Sequence, residues 1–421
     1  MKILHTVESY LPALHGMQKV VQQISEHLHA LGHEVTIATK YNPERNSTVI
    51  NGVKIESFKL GGNSVEGIQG EENEKLRYID FVVQGSFDII SNFAAQQWAT
   101  DLLLPHLSEI KSKKIFIPTG FSKLNDFRYK TYYSNMRYWM KVYDSNVFLS
   151  NDYQDIKFAR ENHIKKVQVI ANAASYDEFY DLQQNNVKSR LAIKDSDFLI
   201  LTIGSHTGSK GHAETMQMFK LAKLNNVTLL VIGNNPLIVS FVKSVVINSV
   251  KKILNVFSFI TKKKYVASCY NSCNFKSKWY NFLFYLTGAT KKIIVKDMNR
   301  SDTLCAYAAA DLFLFPSNIE CSPLVLFEAM ASKTPFLSSA AGNSVEIAEL
   351  TKGGLILPTI KSNDGYSKIK LKESAVMLEN LIWNEDLRQT LTNDGYNAWL
   401  KSYTWEQIAL QYQQLYLNTL S

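Results

Sequence analysis

No run of eighteen uncharged apolar residues occurs in the 421-residue chain, so no membrane-spanning helix is expected. The apolar stretch that opens it, MKILHTV, is too short for a secretory leader and is followed at once by Glu8. Cysteine is scarce: Cys269, Cys273, Cys305 and Cys321 all lie in the second half. Four thiols are too few for a disulfide framework and fit a reducing, cytoplasmic location. Cys269 and Cys273 could pair or hold a metal, but no second cluster lies near them in sequence, so ordinary thiols are expected. The first strand leads into ESYLPALHGM rather than a glycine-rich fingerprint, which argues against a dinucleotide oxidoreductase. No aspartate-any-aspartate pair ends a strand, which agrees with a chemistry that needs no metal, and no cofactor is expected. What the chain has in excess is positive charge. A formal net charge of +8 and a pI near 9.0 call for an anionic partner, and charge alone does not choose among nucleotide, nucleic acid and lipid headgroups.

A chain of this length makes two or three domains. Short apolar runs alternate with helical patterns: MKILHTV, HEVTIATK, FDIISNF, KKIFIPT, SNVFLSN and KVQVIAN, then DFLILTIG, VTLLVIG, KIIVKD, DLFLFPS, TPFLSS and GLILP. Such runs with helices between them predict parallel sheets covered on both faces, an α/β fold. Between them, QKVVQQISEHLHAL places Val20, Val21, Ile24, Leu28 and Leu31 on one helical face, closed by Gly32. The alternation restarts after a polar stretch. The expected organisation is a first doubly wound domain over residues 1–178, a linker over 179–197 and a second doubly wound domain over 198–402, with ligand held in the cleft between facing strand ends. Residues 234–292 are too long for one crossover. Their Lys243, Lys251, Lys252 and Lys262 to Lys264, followed by the aromatic KSKWYNFLFYL, fit two readings equally: an anionic membrane interface over 236–292, or a helical insertion packed on the second domain.

The stretch NIECSPLVLFEAMASKTPF, residues 318–336, carries the first chemical signal. Glu328 sits inside an apolar run, where a carboxylate without partners costs several kcal/mol or more, and Glu320 stands eight residues before it. DLFLFPS predicts a buried strand with 317–322 as the loop at its carboxyl end. Ser322 followed by Pro323 predicts a helix start, serine as N-cap and proline as first helical residue. The free amides of Leu324 and Val325 would then form an anion site suited to a diphosphate. Two acids flanking it suit hydroxyls on either side, as in a nucleotide sugar. On its own, Glu328 reads more readily as a structural glutamate than as a ligand residue.

The strand, the acid pair and EAMASKTP resemble the retaining glycosyltransferases of family 4, group 1, which have the GT-B fold. That resemblance implies that Glu320 holds hydroxyls of the transferred sugar and Glu328 the ribose of the nucleotide. A second match is LTIGSHTGSKGHAETMQMFKLA, residues 201–222: a strand ending at Gly204, a small-residue loop, and Lys210 at a helix start, where it can neutralise a departing diphosphate. The family carries an arginine where this chain has Ser205, which leaves one phosphate contact missing or supplied by His206. In YLPALHGMQKVV the family's glycine pair is reduced to Gly16, with Met17 in second place. VIANAASYDEF resembles the interdomain stretch, with Ser175 replacing an acid. YTWEQIALQYQQLYLNTL resembles the closing helix over 403–421, which returns to the first domain, with Trp405, Ile408, Tyr412 and Tyr416 as packing residues. Where relatives place a histidine after the fifth strand, this chain has FIPTGFSKLNDF, so Thr119, Gly120 or Ser122 would face the sugar. No catalytic histidine is assigned, and His15 and His106 read as incidental.

The resemblance implies metal-independent transfer of a sugar from a nucleotide diphosphate to a saccharide or lipid-linked acceptor, with Glu320 and Lys210 at the reacting centre. No nucleic-acid partner is expected, and the basic insertion suggests an acceptor at the inner membrane face, in surface-polysaccharide or lipopolysaccharide synthesis. Two alternatives remain open from the residues: a nucleotide-sugar-binding protein without turnover, and a nucleotide-sugar epimerase of the same fold.

Overall fold

The computed structural model of the chain describes residues 1–12, 16–180, 182, 187–233, 268–362 and 366–421. It divides into two units, Met1–Ser175 with Lys401–Ser421, and Tyr176–Leu400. The stretch expected as a linker, 179–197, thus counts with the second unit, where Arg190 is ion-paired to Asp302 at 2.6 Å. Most of the expected insertion, including every lysine singled out in it, lies outside the described residues.

The first unit is built on an eight-stranded sheet in the order β10-β9-β8-β7-β1-β2-β4-β3. Its strands are β1 (Lys2–Thr6), β2 (Glu34–Lys40), β3 (Val49–Ile50), β4 (Val53–Phe58), β7 (Ile89–Phe93), β8 (Lys113–Ile117), β9 (Ser145–Phe148) and β10 (Val167–Val169), with a small hairpin, β5 (Gly61–Asn63) and β6 (Gly67–Gln69), outside it. All pairings within the main sheet are parallel except β3 with β4. The central strands are buried on both faces, which is why Ile3, Leu4, Ile89, Ile90 and Phe116 could be read as unbroken apolar runs. Helix α1 (Gly16–Ala30) buries Val20, Val21, Ile24 and Leu28. Leu31 lies past its end and is 40% exposed, so it is not part of the apolar face as expected. Gly32, at φ +87°, supplies the left-handed turn that stops the helix. The closing helix, Trp405–Leu420, packs against α1 and buries Trp405, Ile408, Tyr412 and Tyr416. It also completes a buried polar relay. Tyr416 hydroxyl stands 3.1 Å from His5 Nε2 and 2.7 Å from Ser91 Oγ, and His5 Nδ1 is 2.8 Å from Ser25 Oγ. Burial pushes the His5 imidazole down to about 3.

The second unit carries a six-stranded sheet in the order β13-β12-β11-β14-β15-β16, parallel throughout. These strands are β11 (Phe198–Ile203), β12 (Val227–Ile232), β13 (Lys291–Lys296), β14 (Leu312–Phe315), β15 (Phe336–Ser338) and β16 (Gly354–Ile356). The helices that matter below are α2 (His212–Leu221), α3 (Tyr270–Leu286), α4 (Arg300–Ala309) and α5 (Leu324–Ala331). Leu199 to Leu201, Leu229 to Val231 and Leu312 to Leu314 are fully buried, each aliphatic side chain contributing about 1.5–3 kcal/mol of burial. The strand order reverses between β11 and β14. Crossovers run outward from that pair in opposite directions, and the loops leaving their carboxyl ends border the crevice where ligands bind in sheets of this kind.

Candidate functional site

The two loops at that crevice, 204–211 after β11 and 316–323 after β14, are fastened backbone to backbone. Asn318 N–H donates to Ser209 O at 2.8 Å, and Ser317 Oγ stands 3.1 Å from the same oxygen. Gly211, at φ +74°, makes the approach possible: a Cβ there would lie 1.9 Å from the Pro316 carbonyl oxygen. Gly204 does the same for Lys210, whose Cβ would be 2.9 Å from one built on the glycine. Lys210 Nζ consequently reaches Glu320 Oε1 at 2.6 Å, and Ser317 Oγ donates to that oxygen at 2.8 Å. A third loop supports Glu320 from behind, since Gly342, at φ +58°, leaves no room for a side chain against the Glu320 Cβ at 2.9 Å. Residues 110 apart in sequence thus meet because three glycines admit close contact.

Beyond the loop, α5 starts at Leu324. The N-cap is Pro323, in extended conformation, rather than Ser322. Proline's φ suits both positions, and Ser322 Oγ instead accepts from Asn343 Nδ2 at 3.3 Å. The first bond of the helix start runs from Leu326 N–H to Pro323 O at 3.3 Å, so the amides of Leu324 and Val325 precede it, as expected for a helix beginning.

Neither acid is an open acceptor. Glu320 is held by Lys210. Glu328, with only 12% of its side chain exposed, takes Arg300 Nη2 on Oε1 at 2.7 Å and Tyr307 hydroxyl on Oε2 at 3.0 Å. Arg300 Nη2 also pairs with Glu178 Oε2 at 2.6 Å. This answers the question raised by a carboxylate inside an apolar helix: its charge is compensated from α4. Partial desolvation opposes the Arg300 charge, but Glu328 and Glu178 more than offset it and raise its pKa. Burial, reinforced by the Glu328 charge, holds the Tyr307 phenol well above its ordinary value. Arg300, Tyr307 and Glu178 were not singled out from the sequence. Asn299, which caps α4 by accepting from Asp302 N–H at 2.8 Å, signals that a helix starts there, but nothing local tells which acid Arg300 meets.

The remaining sequence candidates fall elsewhere. Ser205 lies in the lysine loop, its carbonyl accepting from Thr207 N–H at 2.7 Å. His206 does not stand in for the missing arginine: it is fully buried, its Nδ1 3.3 Å from Cys269 Sγ and 3.1 Å from His212 Nδ1. Gly16 and Met17 open α1 in the first unit, and His15 lies outside the described residues. His106 pairs with Glu109 at 2.8 Å on the surface. Thr119, Gly120 and Phe121 all have positive φ. That turn is held by Asp155 Oδ2, which accepts from Gly120 N–H at 2.8 Å, and by Gln154 Nε2, which donates to the Gly120 and Phe121 carbonyls. Burial raises the Asp155 carboxyl to about 6 although its backbone bonds oppose the shift.

Residues 283–370, which contain β14, α5 and both glutamates, match the family described as Glycosyl transferases group 1. Among curated proteins, the capsular polysaccharide biosynthesis glycosyltransferase CapM of Staphylococcus aureus is 23% identical over 60% of this chain and 56% of its own length. The chain spans between about a fifth and little more than half of the length of the curated relatives it matches. Among solved structures, sucrose-phosphate synthase from Thermosynechococcus elongatus superposes with a TM-score of 0.73 at 16% identity, covering 99% of this chain and 98% of that one. HepE of Anabaena in complex with UDP-glucose superposes with a TM-score of 0.66 at 13% identity, covering 99% and 100%. The fold is therefore GT-B, two Rossmann-like units in one chain.

Proposed function

We propose that the second unit binds a nucleotide diphosphate sugar and that the chain transfers the sugar, with retention of configuration, to a saccharide or lipid-linked acceptor received by the first unit. The observation that carries this reading is the Lys210–Glu320 pair beside the leading amides of α5, at the reversal point of the sheet. In the transfer, the bond between the anomeric carbon and the diphosphate oxygen breaks and its electron pair leaves with the diphosphate. Lys210 and the amides of Leu324 and Val325 stabilise that charge, and no metal is required for it. The acceptor hydroxyl bonds to the anomeric carbon on the face the diphosphate leaves, and its proton passes to the departing phosphate. Lys210 exchanges Glu320 for phosphate oxygens as the donor enters, which frees Glu320 to accept from sugar hydroxyls. Glu328, fixed by Arg300 and Tyr307, has its remaining acceptor capacity for the ribose. Ser205, in the same loop, lies against the phosphates.

A nucleotide-sugar ligand is supported by the UDP-glucose in HepE, and a surface-polysaccharide role by the part of CapM in capsular polysaccharide biosynthesis. An acceptor at the inner membrane face, with the protein cytoplasmic and peripheral, is supported by α3. Phe275, Trp279, Phe282 and Tyr285 are at least half exposed there. Among the described residues no helix is long and apolar enough to cross a membrane.

The test is a thermal-shift screen of uridine, guanosine and adenosine diphosphate sugars, then turnover of the matched donor by Lys210→Ala and Glu320→Ala. Loss of about 100-fold or more in kcat is expected for Lys210→Ala, and unchanged turnover in both variants would remove the assignment. A second reading, binding without turnover, rests on serine at position 205. Slow hydrolysis of the donor in the absence of acceptor decides against it.

A further inference from the structure

Around the lysine loop, four side chains with nitrogen and sulfur donors converge. His206 and His212 flank Lys210 in sequence, and Cys269 and Cys273 open α3. One ligating atom from each lies within 4.8 Å of all the others. The separations are 3.1 Å between the two imidazole Nδ1 atoms, 3.3 Å from His206 Nδ1 to Cys269 Sγ and 3.8 Å from His212 Nδ1 to the same sulfur. A tetrahedral zinc, with bonds of about 2.05 Å to nitrogen and about 2.3 Å to sulfur, sets its ligands about 3.3 Å apart for two nitrogens and about 3.5 Å apart for nitrogen and sulfur. The spacings also fit: Cys-x3-Cys and His-x5-His both fall within those of structural zinc sites.

Hydrogen bonding alone accounts for the cluster poorly. Two Nδ1 atoms facing each other share at most one proton, so at least one ring must carry its own on Nε2. Both Nε2 atoms are buried with no partner among the described residues. His206, His212 and Cys273 are at most 2% exposed, so water does not compensate. The cluster is also pre-shaped by the backbone. Cys269 N–H donates to His206 O at 3.0 Å, Cys273 N–H to Cys269 O at 2.8 Å, and the ring of Tyr270 stands edge-on to His206 at 4.9 Å. Two imidazoles and two thiols select zinc over magnesium or calcium, which take oxygen ligands.

We propose that His206, His212, Cys269 and Cys273 form a closed, structural zinc site that fastens the Lys210 loop to the first turn of α3. This departs from the expectation of ordinary thiols and no metal. It stands on the cluster geometry alone and not on the transferase reading. With four protein ligands the ion has no open position, so it braces the site and does not take part in transfer.

The test uses the full chain, purified under reducing conditions from zinc-supplemented cells. Elemental analysis should find about one zinc per chain, falling to about a tenth or less in Cys269→Ser/Cys273→Ser and in His206→Gln. Should those variants fail to fold, the wild-type chain decides. Chelation should lower its melting temperature, zinc but not magnesium should restore it, and cobalt in place of zinc should give thiolate-to-metal charge transfer with intense tetrahedral visible bands. Zinc-free wild-type protein whose melting ignores both chelator and added zinc would overturn the proposal. So would an octahedral cobalt spectrum, or a Cys269–Cys273 disulfide in the reduced preparation.

Discussion

Replacing Gly211 by alanine tests how the two loops of the donor site are brought together. At φ +74° an alanine occupies the left-handed region, at a cost of about 1–2 kcal/mol. Its methyl would also stand 1.9 Å from the Pro316 carbonyl oxygen and 2.5 Å from the carbonyl carbon, where contacts of about 3.3 Å are the norm. Both obstacles are backbone, so no rotamer change relieves them and the loops must part by about 1 Å or more. Forced shifts of that kind cost about 1–3 kcal/mol. The sum, about 2–5 kcal/mol, lowers the melting temperature by roughly 5–15 °C in a unit of this size. Parting the loops also moves Lys210 and Glu320, now within 2.6 Å of each other, away from the places where they would take phosphate and sugar hydroxyls together, so affinity for a nucleotide diphosphate sugar should fall about tenfold or more, a loss of about 1.4 kcal/mol. Gly288→Ala is the control. Gly288 has φ +67° but nothing within 4 Å of its added Cβ, so it carries the left-handed cost without the collision. Differential scanning fluorimetry and calorimetric titration of the donor measure both quantities. If the two variants melt together and bind the donor alike, the argument that Gly211 sets the loop contact is wrong.

Two further expectations concern the first unit. Asp155, raised to about 6 by burial, favours folding when protonated; that contribution is fully present below its ordinary value near 3.8 and is lost as pH rises through about 6. The stability of the wild-type chain relative to non-titrating Asp155→Asn should therefore grow by up to about 3 kcal/mol as pH falls from about 7.5 to about 4; denaturant melts at each pH read it, and a flat difference refutes it. Tyr416→Phe strands His5 Nε2 and Ser91 Oγ in the core, so it should cost about 1–3 kcal/mol in those melts while donor affinity is untouched.

The parallel strands were legible because they are buried on both faces and read as unbroken Val/Ile/Leu runs. Where burial is one-sided the signal weakens: β4 alternates Val53 and Ile55 with Lys54 and Glu56 and went unrecognised, although it pairs with β2 along five residues. Within the site, Glu328 announced itself by standing among apolar neighbours, and Glu320 by its place in the loop eight residues earlier. Their pairings did not: Lys210 was legible by itself and Arg300 was not, and each meets its glutamate only through the fold. The proline at 323 misled by one residue, since its φ serves N-cap and first turn alike and only ψ separates them. The four soft donors were unreadable for a related reason. Each pair looks incidental alone, and more than fifty residues of chain divide His212 from Cys269.

The closing helix has a bearing on biosynthesis. Residues 401–421 belong to the first unit, yet the ribosome makes them only after all of Tyr176–Leu400. Until then the apolar stripe of α1 and the buried polar trio of His5, Ser25 and Ser91 lack their cover. The usual vectorial order, in which the amino-terminal part matures first during translation, is thereby inverted: the later-made unit can finish ahead of the earlier one. The nascent chain carries an unsealed hydrophobic surface through most of its synthesis, and it is there that a chaperone would find its grip.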